Sequence, residues 1–155
     1  MTVTTTFDLL ATHPFLAGLT RPQLERLSPW AHRALFQAGA RVFSEQGRAR
    51  RFWLIREGSV ALDLYVPGRG AVVVETLGPA AVLGWSWLYP PYRWHLGATA
   101  LTQTLTVEFD GEAVRRLAAD DPELGYELYR RFLAVVVDRL QATRIRLLDL
   151  YGEPA

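Results

Sequence analysis

The sequence predicts a mainly β domain (α+β), a small antiparallel sandwich or barrel flanked by helices. Three observations carry that expectation. From Trp30 to about Asp110 the chain breaks into short runs rich in β-branched and aromatic residues, separated by glycines. The segments before and after follow the 3.6-residue period of amphipathic helices. With 155 residues, half of them hydrophobic and 21% charged, there is enough apolar surface to bury one core. The expected division is a single domain over 1–155, with a helical part at 7–28, a β part at 30–110 and C-terminal helices at 111–151.

Taken in order, the first helical signal is Thr20-Arg21-Pro22-Gln23. Thr20 has the place of an N-cap and Gln23 the third helical position, the spacing of a capping box. The helix so opened stops near Ser28-Pro29, and Phe15, Leu16 and Leu19 can pack against its Leu24 and Leu27. In the β region, Ser59 to Val66 alternates so that Val60, Leu62 and Leu64 share one face. The stretch "VPGRGA" then reads as a turn, with Pro67, Gly68 and Gly70 supplying its backbone angles.

Two helices close the chain. Asp110-Gly111-Glu112 opens a short one. Asp121-Pro122-Glu123 starts a long one, with aspartate as N-cap, proline at the first position and glutamate in the first turn. Along the long helix Tyr126, Tyr129, Leu133, Val136, Leu140, Thr143, Leu147 and Leu150 form a 3-4 series, which is a heptad seam. Leu128, Phe132 and Val135 make a second stripe confined to its first half. One stripe can dock on the β body. The seam, from Tyr129 to Leu150, then calls for another helix, and a second copy of the chain is the economical partner.

Composition excludes several classes. The formal net charge is +1, unlike the strongly basic footprint of a nucleic-acid binder. The absence of cysteine removes disulfides, zinc–thiolate sites and cysteine nucleophiles. "MTVTTTFDLL" lacks the basic and apolar regions of a signal peptide, and "FLAVVV" is too short to span a membrane, so a cytoplasmic protein without membrane association is expected. His13, His32 and His95 are scattered, so no metal site is expected. No nucleophile elbow, P-loop or paired-carboxylate constellation is present, so no catalytic residue and no enzyme activity are expected.

The order of elements, together with Gly39 and Gly47 in "AGARVFSEQG", Gly58 in "WLIREGSVAL", Gly84 in "VLGWS", and "DRLQATR" in the long helix, resembles the cyclic nucleotide-binding domain. More narrowly it resembles the effector domain of Crp/Fnr bacterial regulators. The resemblance implies a β-roll (jelly roll) with N-terminal helices and a long C-terminal dimerisation helix. It also implies a ligand site at a strand-to-helix turn. There a glycine and adjoining amides meet a cyclic phosphate, an arginine pairs with its charge, and a glutamate accepts from the ribose hydroxyl. Crp/Fnr regulators continue into a DNA-reading helix-turn-helix, and this sequence ends five residues after Leu150, so no direct nucleic-acid binding is expected by that route.

By the same resemblance the ligand cassette falls on "LGWSWLYPPYRWH", Leu83 to His95, which holds three tryptophans and two tyrosines. Gly84 matches the glycine. Trp85 stands where the glutamate belongs, and an indole cannot accept that hydrogen bond. Arg93 lies one position short of the expected arginine, whose place is taken by Trp94, and Trp94, His95 and Leu96 replace small residues. Thr143 matches a long-helix threonine that touches the base in cyclic-AMP-responsive members, and it is also a seam residue. The candidate ligand residues are thus Gly84, Trp85, Ser86, Trp87, Arg93, Trp94, His95 and Thr143. The expectation is a non-enzymatic, stand-alone regulatory or sensor module, homodimeric, with a degenerate phosphate cassette. It has no certain cofactor; a cyclic nucleotide or another small anionic or aromatic ligand is the candidate, with Trp85, Trp87 and Trp94 stacking and Arg93 holding an anion. The alternatives are a ligand-free dimeric interaction module, its aromatics either filling the pocket themselves or docking a partner protein, and a genuine nucleotide sensor with an atypical aromatic pocket.

Overall fold

The computed structural model describes residues 4–152, so the outermost residues of the 1–155 division lie outside the described residues. Two short helices lead the chain, α1 (Thr6–Thr12) and α2 (Arg21–Leu27), each followed by a 3-10 turn. The capping box of α2 forms as its sequence demands: the Gln23 amide donates to the Thr20 hydroxyl, and the Thr20 amide donates to the Gln23 side chain at 2.9 Å. Leu16, Leu19, Leu24 and Leu27 are all buried in the common core.

Eight strands follow: β1 (Ala31–Phe36), β2 (Arg41–Phe43), β3 (Arg51–Glu57), β4 (Val60–Val66), β5 (Gly70–Leu77), β6 (Val82–Leu83), β7 (Gly97–Ala100) and β8 (Thr104–Asp110). They form two antiparallel four-stranded sheets, ordered β1-β8-β3-β6 and β2-β7-β4-β5. The helices lie before and after them, so the predicted β-roll with flanking helices is the fold.

Strand β3 explains how the layers are held. Phe52, Trp53, Leu54 and Ile55 are buried in succession, as expected of a strand covered on both faces. On one face Phe52 stacks on Phe109 and Trp87 and meets Phe132 of the long helix edge-on. On the other, Trp53 packs against Phe36, Phe43 and Trp94. The two aromatic clusters therefore separate a helix-facing core from the interior of the roll. The turn into β4 needs glycine: Gly58 has φ +98°, and a Cβ there would lie 2.6 Å from the Gln103 carbonyl oxygen.

The face shared by Val60, Leu62 and Leu64 is only partly buried. Val60 and Leu62 are core residues, whereas Leu64 is 39% exposed. Pairing of β4 with β7 ends at Asp63, while its pairing with β5 continues to Val66. The β4–β5 hairpin thus projects past its sheet neighbour, and Leu64 lies on the projecting part. Gly68 and Gly70, at φ +85° and +80°, make the turn predicted at its tip.

The chain closes with α3 (Gly111–Asp120) and α4 (Pro122–Gly152). Asp110 and Asp121 cap them by accepting from the Ala113 and Leu124 amides at 3.1 and 3.2 Å. Helix α4 has 31 residues and is about 46 Å long. Leu124, Leu128 and Phe132 fix its first half to the body, and every residue from 141 to 150 is exposed.

His13 ties the N-terminal segment to the sheet. Its Nδ1 accepts from the Phe15 amide at 3.2 Å, which leaves Nε2–H to donate to the Ile55 carbonyl at 2.9 Å. Burial holds its pKa below the usual 6.5, against the opposing pull of the Ile55 carbonyl. The unfolded chain therefore binds this proton first on acidification. Stability is complete above about pH 6.5 and is lost as the pH falls through the window down to the lowered folded value. Urea midpoints measured at about pH 7.5 and pH 5 should fall more in the wild type than in His13→Gln. An equal fall in both proteins would show that His13 is not responsible.

Candidate functional site

The segment from Leu83 to His95 leaves β6, makes a 3-10 turn at Ser86–Leu88 and returns toward β7. Gly84 takes φ +98°, a conformation open to glycine, and its bare Cα faces the ring of Trp94. A Cβ at Gly84 would stand 2.8 Å from Trp94 Cη2. Trp94 is 4% exposed and lies flat on Phe43, centroids 3.8 Å apart and planes 12° from parallel. The Trp53 ring sits 6.1 Å from it on the third side. What remains is a cavity of about 30 Å³ lined by Gly84, Trp85, Ser86, Trp94, His95 and neighbours. That is room for about one or two water molecules.

Trp85 forms the outer wall and is held from α4. The Arg139 guanidinium lies over its ring at 4.4 Å, donates to the Val82 carbonyl at 3.0 Å and approaches Glu75 at 3.5 Å. Burial pulls the Arg139 pKa down, and the Glu75 carboxylate pulls it back up. The helix dipole does not account for Arg139, because α4 runs on to Gly152 and the dipole acts only within the last turn. Arg139 is instead a clamp between the helix and the cassette. Arg144 and Arg146, farther along the same helix, are exposed.

The other predicted residues divide. Ser86 is buried beside Gly84, and His95 lines the small cavity while remaining exposed. Trp87 turns the opposite way: it is 1% exposed, stacks on Phe52, and donates from Nε1 to the Gly84 carbonyl at 3.1 Å. Arg93 is exposed and donates to the Gln46 carbonyl at 3.1 Å, outside the cavity lining. Thr143 is exposed on the projecting half of α4, together with Leu140, Leu147 and Leu150. Tyr129 and Leu133 are exposed earlier on that helix, and Val136 is half-buried.

Two contributors escaped the sequence reading. Phe43, in the short strand β2, carries the stack under Trp94, and its position in the interior follows only from the pairing of β2 with β7. Arg41, on the same strand, pairs with buried Asp63 through two contacts, Nη1–Oδ2 at 2.5 Å and Nη2–Oδ1 at 3.1 Å. That bond raises the Arg41 pKa and engages the guanidinium within the chain. Among the described residues no group of three or more His, Cys, Asp or Glu is placed to hold a metal ion. Nor is any described helix long and apolar enough to cross a membrane.

Comparison with known proteins agrees with this architecture. Residues 33–121 match the family model "Cyclic nucleotide-binding domain". The "CRP-like cAMP-activated global transcriptional regulator" of Mycobacterium tuberculosis is 27% identical over 143 residues, covering 92% of this chain and 62% of the relative. The "HTH-type transcriptional regulator Cmr" of the same species is 31% identical over 138 residues, covering 89% of this chain and 54% of the relative. This chain thus spans little more than half the length of those relatives. A cyclic nucleotide-binding domain from Methylobacillus flagellatus shares the fold, with a TM-score of 0.78 at 17% identity over 93% of this chain and 81% of that one. The chain belongs to the cyclic nucleotide-binding domain family, with Crp-like regulators among its relatives.

Proposed function

We propose that this chain is one non-enzymatic regulatory module whose nucleotide cassette is filled by its own Trp94 and does not take cAMP or cGMP in the family's manner. The observation that carries this reading is the Trp94 indole lying against Gly84 and stacked on Phe43, with about 30 Å³ left over. Two further features support it. Trp85 replaces the carboxylate that would meet a ribose hydroxyl, and Arg93 points to Gln46 instead of into the cassette. Buried polar anchors that are missing cost a ligand orders of magnitude in affinity.

The module acts as a homodimer through α4. Tyr129, Leu133, Leu140, Leu147 and Leu150 leave between 45% and 78% of their surface exposed, on a helix exposed at every residue from 141 to 150. An isolated helical segment of that length is marginal in water, and its apolar seam matches a second copy of itself.

Three measurements test these statements. Calorimetric titration with cAMP or cGMP to about 1 mM should give no binding heat, and a Kd of about 10 µM or tighter for either would overturn the filled cassette. Trp94→Ala should lower unfolding free energy by about 3–5 kcal/mol, with Trp94→Phe losing less. A loss below about 1 kcal/mol for the alanine variant would mean the ring fills no essential space. In sedimentation equilibrium the wild type should run at twice the chain mass and Leu140→Asp, an exposed seam position, at the chain mass. A monomeric wild type would refute the dimer.

A further inference from the structure

A second cavity, independent of the cassette, lies at the end of the sheet where β3 begins and β8 ends. It has a volume of about 650 Å³, within the range of small-molecule sites. Arg48 and Arg50 enter it from the loop into β3, Arg51 from the first position of that strand, and Arg115 from α3. Trp30 and Tyr92 supply rings to its wall: Trp30 is 43% exposed, and Tyr92 is held under the Arg115 guanidinium at 4.1 Å.

The charges in the wall do not cancel. Each carboxylate already has partners within the chain. Glu108 is buried and accepts from the Trp53 indole at 2.8 Å through one oxygen, while the other lies 2.8 Å from His32. Asp110 caps α3, and Glu112 pairs with Arg116 at 3.4 Å. Among the cations, Arg51 reaches Glu108 only at 3.9 Å, and Arg115 is committed to the Trp87 carbonyl and the Tyr92 ring. The side chains of Arg48 and Arg50 make no hydrogen bond or ion pair among the described residues. A solvated loop, the plainer account of this arginine run, would leave unexplained why both uncommitted guanidinium groups line a recess beside an exposed indole.

We infer that this cleft is a binding site for a small anion carrying a planar ring, of about the size of a nucleoside monophosphate, with Arg48 and Arg50 receiving the anionic group and Trp30 the ring. Guanidinium groups suit phosphate or carboxylate through paired N–H donors, and an exposed indole gives a flat apolar surface at little conformational cost. The site shares no lining residue with the cassette cavity, so its occupancy is independent of whether Trp94 fills that cavity.

The test is calorimetric titration of the full chain with phenyl phosphate, inorganic phosphate and adenosine 5′-monophosphate. The ring-bearing anions should bind with a Kd below about 1 mM and inorganic phosphate at least several-fold more weakly. Arg48→Ala/Arg50→Ala should weaken the ring-bearing anions on the order of tenfold. Trp30→Ala should weaken those anions several-fold and leave inorganic phosphate unchanged. Arg144→Ala/Arg146→Ala, which removes the same charge from the far end of α4, should change nothing. Equal weakening by both double variants would reduce the effect to net charge and overturn the site. So would absence of binding by every probe at about 10 mM.

Discussion

The stack of Trp94 on Phe43, at 3.8 Å, fixes the interior of the roll. Phe43 belongs to β2 and Trp94 to the return from the cassette, so the contact joins the sheet to the segment between β6 and β7. Gly84 must stay bare for the indole to lie where it does, and Trp53 completes the enclosure from the opposite sheet. In a close-packed interior a ring of this size is a volume that nothing else can share. Under the proposed reading, a ligand entering the cassette has first to evict Trp94 and supply equivalent contact to Phe43 and Gly84.

That constraint reaches the long helix through Arg139. Its guanidinium covers Trp85 while its N–H groups engage the Val82 carbonyl and approach Glu75, so three elements around the cassette meet one side chain of α4. The charge is tolerable in a mostly buried place because a carboxylate, a carbonyl and an aromatic face replace its water. The same helix presents Leu133 and Leu140 outward. The cassette wall and the proposed dimer seam are consequently two faces of one rigid element.

Much of the fold was legible because it rests on local chemistry. The capping box at Thr20 and Gln23 and the aspartate caps at Asp110 and Asp121 each formed as spaced, since their partners lie three residues away. The two stripes on α4 also separated as their periods required. Leu64 was harder, because alternation reports a face and not how far a neighbouring strand extends beside it. In the cassette, Gly84, Trp85, Ser86, Trp94 and His95 do converge. The divergence of Trp87 depends on the 3-10 turn at Ser86–Leu88 and that of Arg93 on its bridge to Arg48, neither of which a side-chain pattern encodes. The roles of Phe43, Arg41 and Arg139 were hidden for a different reason: their partners are distant in sequence and meet them only through the pairing of the strands and the docking of α4.

The aromatic segment also separates the two cavities. Trp85 and Trp94 face the roll interior, whereas Pro91 and Tyr92, a few residues away, line the arginine cleft on its other side. Tyr92 adopts φ +57°, and its amide donates to the Tyr89 carbonyl while its own carbonyl accepts from Ala49 at 2.7 Å. A β-turn-like reversal with those bonds holds the tyrosine ring against Arg115 and brings Ala49, between Arg48 and Arg50, onto the same segment. One stretch of chain therefore fills the roll interior beside Gly84 and, by its opposite edge, helps build a differently charged recess outside it. The density of aromatics between Leu83 and His95 follows from serving both surfaces: interior positions need rings to fill volume, and the edge needs a ring on which a guanidinium can rest.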